Sequence, residues 1–349
     1  GHNYHLTDVY GAKVNTDFRS LLGKTAIGFD FRSENIWSNV LGNPMEDTLA
    51  VGNNSHGTYT KSYTRTIVNS YLEHTVYIDG FVASIGVLGS WSNEFNRKWK
   101  WFPGVDLSYN FTNALKAFAS ANRSLRIPTF TDLFYEGPNN IGNPDLKNEH
   151  VTSYESGLKW NQPKLSAYLS AFYSKAGDVI AWVDTDPDNK GKFKTENLTD
   201  LTKKGLEFRF QYRFTQFPLI NGASLNYTYI DQTKDAGKYT SKYSLNYLKN
   251  KLVINLRMEP LKNVTLNLSG HCNDRNGSFL RYDKVNETYL SDKSYAPYWL
   301  FNAKLRYKMD SWDFYIQASN LFDNHYYDMG NIRMPGRWIK IGIHKKLHW

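Results

Sequence analysis

The sequence predicts an all-β fold, a transmembrane antiparallel β-barrel, on three observations. Apolar and polar residues alternate with period two along most of the chain. Short turns and long connections alternate between the strand-like segments. The final segment, residues 337–349, keeps one apolar face (Ile339, Ile341, Ile343, Leu347 and Trp349) up to its aromatic last residue. An open edge in lipid would leave backbone groups unpaired, so a strand of this kind belongs to a sheet that closes on itself.

Composition fits this class. The chain has 349 residues, and 16% of them are aromatic, with 25 Tyr, 20 Phe and 10 Trp. Such enrichment is usual where girdles of aromatic residues sit at both membrane interfaces. Mean hydropathy is −0.57, and no apolar run reaches the ~18 residues of a membrane helix. One cysteine, Cys272, excludes an internal disulfide framework and reads as a packing residue. The net charge of +9 is spread over alternating strand positions and loops. No nucleic-acid motif accompanies it, so the charge reads as a solvated wall and rim. Gly1-His2 carries no export signal, and localisation is not legible from it.

The strands follow in order. Leu115, Ala117, Ala119 and Ala121 oppose Lys116, Phe118, Ser120 and Asn122. Leu206, Phe208, Phe210, Tyr212 and Phe214 oppose Glu207, Arg209, Gln211 and Arg213, and Phe301, Ala303, Leu305, Tyr307 and Met309 oppose Asn302, Lys304, Arg306 and Lys308. One face suits lipid and the other a wet lumen. Short links fall near 18–22, 79–80, 112–113, 162–163, 215–221, 260–263 and 310–311. Long ones fall near 34–58, 93–97, 127–147, 184–201, 232–250, 274–297 and 321–335. A soluble sandwich has no reason to keep that rhythm. The segments number about 15, an odd count, whereas bacterial single-chain barrels have even numbers. Residues 1–349 therefore read as the C-terminal portion of one barrel domain of ~22 strands, with the plug and about seven N-terminal strands lying outside this chain.

No catalytic constellation stands out: there is no G-x-S-x-G, no H-E-x-x-H and no zinc spacing. No cofactor or metal is expected. His271 and His344 sit on polar strand faces. Asp145, His150 and Ser153 are near one another in sequence but lack the context of an activated nucleophile. Gly137, Gly142, Pro138 and Pro144 read as loop punctuation.

Two blocks carry a family resemblance. Ser124-Leu125-Arg126-Ile127-Pro128-Thr129-Phe130-Thr131-Asp132-Leu133-Phe134-Tyr135 runs through Gly142-Asn143-Pro144-Asp145-Leu146-Lys147-Asn148-Glu149 into Tyr154-Glu155-Ser156-Gly157-Leu158. It resembles the strand-loop-strand signature of TonB-dependent outer-membrane receptors. Asn320-Leu321-Phe322-Asp323, Tyr326 and Pro335-Gly336-Arg337 resemble that family's end motif. The family usually ends in Phe, where this chain has Trp349. Asp8-Val9-Tyr10-Gly11, Gly28-Phe29, Arg32-Ser33-Glu34, Tyr71-Leu72-Glu73-His74, the stretch 102–109 and the stretch 178–182 resemble cobalamin receptors of gut Bacteroides-type anaerobes.

The resemblance implies a bacterial outer-membrane transporter driven by the TonB complex through the plug, not an enzyme. Its cargo would be a cobamide, taken up with a surface lipoprotein as partner; a siderophore or heme-iron chelate is the alternative. Outer-membrane lipids are the other expected partners, and nucleic acid is not. Loop residues suited to stack on or hydrogen-bond a large polar ligand are Trp37, Tyr135, Asn139, Asn140, Tyr282 and Tyr289. Two other classes compete. A passive porin needs a complete even-stranded barrel, and a barrel enzyme needs a catalytic cluster at the rim.

Overall fold

The computed structural model describes residues 2–52, 57–184, 193–235, 240–241, 247–283, 288–330 and 332–347. Trp349 lies outside them. Fifteen long strands form one continuous antiparallel sheet. They are β1 (His5–Ser20), β2 (Gly23–Ser38), β3 (Thr58–Ile78), β4 (Phe81–Ser92) and β5 (Lys100–Asn110). There follow β6 (Leu115–Arg126), β7 (Glu149–Asn161), β8 (Leu165–Asp184), β9 (Phe193–Arg213) and β10 (Ile220–Asp235). The last are β11 (Leu248–Leu261), β12 (Val264–Arg275), β13 (Tyr298–Met309), β14 (Trp312–Ser319) and β15 (Trp338–Lys345). Each pairs with its neighbours in chain order; among the described residues β1 pairs only with β2, and β15 only with β14.

The alternation of short and long connections is as the sequence predicts. Asp79, Asn263 and Asp310, at φ 29°, 66° and 51°, supply the left-handed backbone that tight turns need. The strands are longer at the other end than the polar pattern suggests. β2 runs to Ser38, β8 to Asp184 and β10 to Asp235, because ladder pairing continues where the apolar face has already ended.

Register sets the two faces. Ile27 pairs with Leu72, Leu107 with Ala119, Leu169 with Leu158, Phe208 with Tyr227 and Ile316 with Ile341, giving an apolar outward face. Cys272 lies on it, opposite Leu252 and Trp299. The inward face carries the polar set, with His271 Nε2 at 3.2 Å from Ser269 Oγ and His344 opposite Asp313. Four inward rings each stand directly across a ladder from a glycine: Tyr71 from Gly28, Phe118 from Gly157, Phe172 from Gly205 and Tyr315 from Gly342. Each ring occupies the space a Cβ would fill on its glycine.

The wall itself has little interior. The fully buried apolar residues, among them Ile36, Leu41, Phe95, Phe102, Leu133, Val183, Leu198 and Phe279, all lie at the long-connection end. What core the described chain possesses therefore packs its long connections onto the strand ends.

Candidate functional site

Arg65 organises one side of that end. It faces inward on β3, directly opposite Glu34 on β2. Nε and Nη2 donate to Glu34 Oε2 at 3.1 and 2.9 Å, and Nη1 donates to the Pro128 carbonyl at 2.7 Å and to Glu94 Oε2 at 3.4 Å. The guanidinium also lies 4.4 Å from the centroid of the Phe130 ring. Arg32 takes the other Glu34 oxygen, at 2.6 Å. The side chains of Arg65, Glu34 and Glu94 are 9%, 10% and 10% exposed, so these charges interact largely out of water. Burial pushes the Glu94 carboxyl above its ordinary value, against the opposing pull of Arg65.

The connection 127–148 is thereby drawn onto β2 and β3. Pro128 leads into Thr129, which caps a short helix, Phe130–Phe134, through a reciprocal box with Asp132. Tyr63 of β3 packs on Phe130 and Phe134 at ring distances of 5.8 and 4.7 Å. Arg126 binds both Asp132 and Glu149, at 3.0 and 2.6 Å. The far side of the connection is held by β9. Thr195 Oγ1 donates to the Asp132 carbonyl at 2.7 Å, and Asn143 Nδ2 donates to Glu196 Oε2 at 3.2 Å. Asn197 accepts from the Lys147 N–H and donates to the carbonyls of Lys147 and Asp178. One connection thus bridges β3 and β9.

A second body forms from the last two long connections. Phe279 packs against Tyr295 and Tyr327 at 5.0 and 5.3 Å. Arg275 pairs with Asp328 at 3.1 Å. Asn320, at φ 48°, donates from Nδ2 to the Asn324 carbonyl, while its Oδ1 accepts from the Asn324 N–H. Asp323 accepts from the Arg337 N–H at 2.7 Å, and that bond holds its carboxyl below the usual range. The end-motif residues Asn320, Asp323 and Gly336 thus meet at the base of this connection, setting loop geometry.

Of the six expected ligand residues, three come together. Tyr135, Asn139 and Asn140 share the bridging connection. Tyr135 folds back over Gly137, Asn139 is exposed, and Asn140 joins a short parallel pairing with Phe193. Tyr282 and Tyr289 are direct backbone partners in the hairpin formed by Ser278–Asp283 and Thr288–Ser294. Trp37 is apart from both groups, on β2 in the same outward-facing phase as Phe29 and Phe31. Arg65, Glu34 and Glu94 are not singled out by the sequence, since a charged residue on an inward phase reads as solvated wall. The Thr129/Asp132 box is the one local signal that points to the helix.

The nucleophile-like set does not assemble. His150 Nδ1 is 3.6 Å from Asp178 Oδ2, and Ser153 Oγ is 2.9 Å from Ser174 Oγ.

The sequence model of the family described as "TonB dependent receptor-like, beta-barrel" matches residues 1–321. The chain belongs to this family. Its members are receptors and transporters known as outer-membrane β-barrels, and no helix of the described residues is long and apolar enough to cross a membrane. At the sequence level the chain is 30% identical over 151 residues to the vitamin B12 transporter BtuB of Photobacterium profundum, covering 40% of this chain and 24% of that protein. It is 33% identical over 89 residues to the BtuB of Vibrio vulnificus, covering 26% and 14%. Among solved structures, the ferric enterobactin receptor PfeA of Pseudomonas aeruginosa superposes with a TM-score of 0.72 at 17% identity, over 98% of this chain and 54% of that one. The siderophore receptor PirA of Acinetobacter baumannii gives 0.72 at 16%, over 98% and 55%. These structural likenesses speak for the fold. The chain spans about half the length of the solved chains it matches and under a quarter of the two curated relatives.

Proposed function

We propose that this chain forms the wall and ligand-facing connections of a receptor that takes up a scarce, large nutrient across the bacterial outer membrane, powered by TonB, and that the nutrient is a cobamide. The observation that carries the choice of cargo is the sequence-level similarity to two vitamin B12 transporters. The likenesses to siderophore receptors run at 17% identity or below and speak for the fold. An iron chelate is the second reading, favoured by the number of siderophore receptors with the same wall. On either reading the chain transports and is not an enzyme.

In this reading, residues 1–349 are the C-terminal portion of a barrel of ~22 strands. A plug and about seven further strands are contributed by the preceding sequence. The one-sided pairing of β1 and β15 supports it. Tyr135, Asn139 and Asn140 would meet the ligand from a connection held at both ends, with Tyr282 and Tyr289 opposite. Trp37 suits the membrane interface. A surface lipoprotein would assist capture.

The test is growth and uptake. Cells relying on this receptor should accumulate radiolabelled cobalamin from nanomolar supply only with TonB present. Dependence on an iron chelate, with indifference to cobalamin, moves the assignment to iron. Uptake that survives loss of TonB removes the active-transport reading.

A further inference from the structure

The wall is split at one place. Pairing of β5 with β6 stops at Gly104 and Asn122. On either side the ladders run on: β4–β5 continues to Ser90 and Lys100, and β6–β7 to Arg126 and Glu149. Pro103, which has no N–H to donate, stands where the shared ladder ends. The edges of residues 100–103 and 123–126 therefore face each other without ladder bonds, at the long-connection end.

A cavity of about 660 Å³ lies in this split, lined by Glu94, Lys100, Phe102, Arg123, Leu125 and Lys147 among others. Three of these are cations. Lys100 Nζ lies 4.8 Å from the Phe95 ring centroid. Among the described residues, Lys100, Arg123 and Lys147 make no salt bridge, whereas Arg126 and Arg65 nearby are both paired with carboxylates. Glu94 reaches the cavity with a buried Oε1 that accepts no hydrogen bond. Just below, on the outward face, a shallow apolar hollow of about 360 Å³ is lined by Ile85, Pro103, Val105, Ala121 and Tyr154. Arg123 belongs to both hollows.

We propose that the split holds the headgroup of an anionic, hydroxyl-bearing membrane lipid, its phosphate against Lys100, Arg123 and Lys147 and its acyl chain along Ile85, Val105, Ala121 and Tyr154. Charge complementarity argues for the phosphate, since unpaired cations beside a phosphate form charge-assisted bonds. The orphaned Glu94 oxygen calls for a donor, which a headgroup hydroxyl supplies. The continuity of the polar cleft with the outward hollow argues for a lipid over a soluble anion. This site rests on the barrel lying in a membrane, not on the choice of cobamide as cargo.

The experiment is native mass spectrometry of the receptor isolated as the cell makes it. The probes are dioleoylphosphatidylglycerol, dioleoylphosphatidylcholine and glycerol 3-phosphate. Phosphatidylglycerol should be retained at least tenfold better than phosphatidylcholine. Arg123→Gln combined with Lys147→Gln should abolish that preference, and Lys345→Gln at the opposite end should leave it intact. Equal retention of both lipids, or unchanged preference in the double variant, overturns the proposal. Displacement by glycerol 3-phosphate at the lipid's own concentration assigns the cleft to a soluble anion and overturns it too. Should the double variant fail to fold, a diazirine-bearing phosphatidylglycerol on the wild type decides. Labelling concentrated on Val105, Ala121 and Tyr154 supports the site, and labelling spread evenly round the outward face refutes it.

Discussion

The ring of Phe118 on β6 covers Gly157, its direct partner on β7, so closely that a Cβ on Gly157 would stand 2.8 Å from the ring. Lys159 lies 4.7 Å above the same ring, and Tyr168 stacks beside it at 5.9 Å. Gly157→Ala forces the ring away and strains the ladder, at a cost of about 1–3 kcal/mol. The midpoint of heat-induced unfolding, followed by gel mobility, should fall. Gly330→Ala is the contrast, because a Cβ there meets nothing within 4 Å. Its effect should be confined to local backbone strain at φ 55°.

Arg65→Ala removes the group that joins Glu34, Glu94 and Pro128. It leaves buried carboxylates short of a partner, a change that costs about 3–5 kcal/mol where the site cannot relax. The connection 127–148 should then loosen before the wall does. Limited proteolysis should cut within 127–148 in the variant at protease levels the wild type resists.

Two connections should respond to acid with opposite sign. The Glu94 carboxyl is raised above 4.5, chiefly by burial, so the packed state holds its proton more tightly than the open state. Its packing is favoured at and below pH 4.5 and weakens as pH rises through the shifted value. Asp323 is lowered below 3.8 by the Arg337 N–H, so its bond is fully present above that value and is lost as pH falls through the shifted one. Hydrogen exchange should show residues 93–99 better protected at about pH 5 than at about pH 8. Residues 320–337 should lose protection only in strong acid. Glu94→Gln should flatten the first response and leave the second.

Tyr135→Ala and Asn139→Ala test the ligand reading. Each should weaken cobalamin binding by roughly 1–2 kcal/mol, about five- to thirtyfold, if its side chain meets the ligand. Unchanged affinity in both, measured by calorimetry on folded receptor, moves the contact elsewhere on the rim.

Strand placement was legible because two local signals coincide: period-two patterning, and turn residues such as Asp79, Asn263 and Asp310 that tolerate positive φ. The site was less so. The Arg65–Pro128 bond joins residues 63 positions apart, and no periodicity reports a partner at that range. The helix Phe130–Phe134 is only 5 residues long, too short for a 3.6-residue repeat to register. The bridging of β3 and β9 follows from side chains of ordinary polar type, Thr195 and Asn197, whose importance exists only once the connection lies against them.

The aromatic–glycine pairs on the inward face have a consequence for traffic. Tyr71, Phe118, Phe172 and Tyr315 are large residues on a surface past which a bulky cargo would have to move. Because each opposes a glycine, its ring rests along the wall instead of projecting from it. The bore keeps its clearance at four aromatic positions, and the wall gains stiffness there without narrowing the passage.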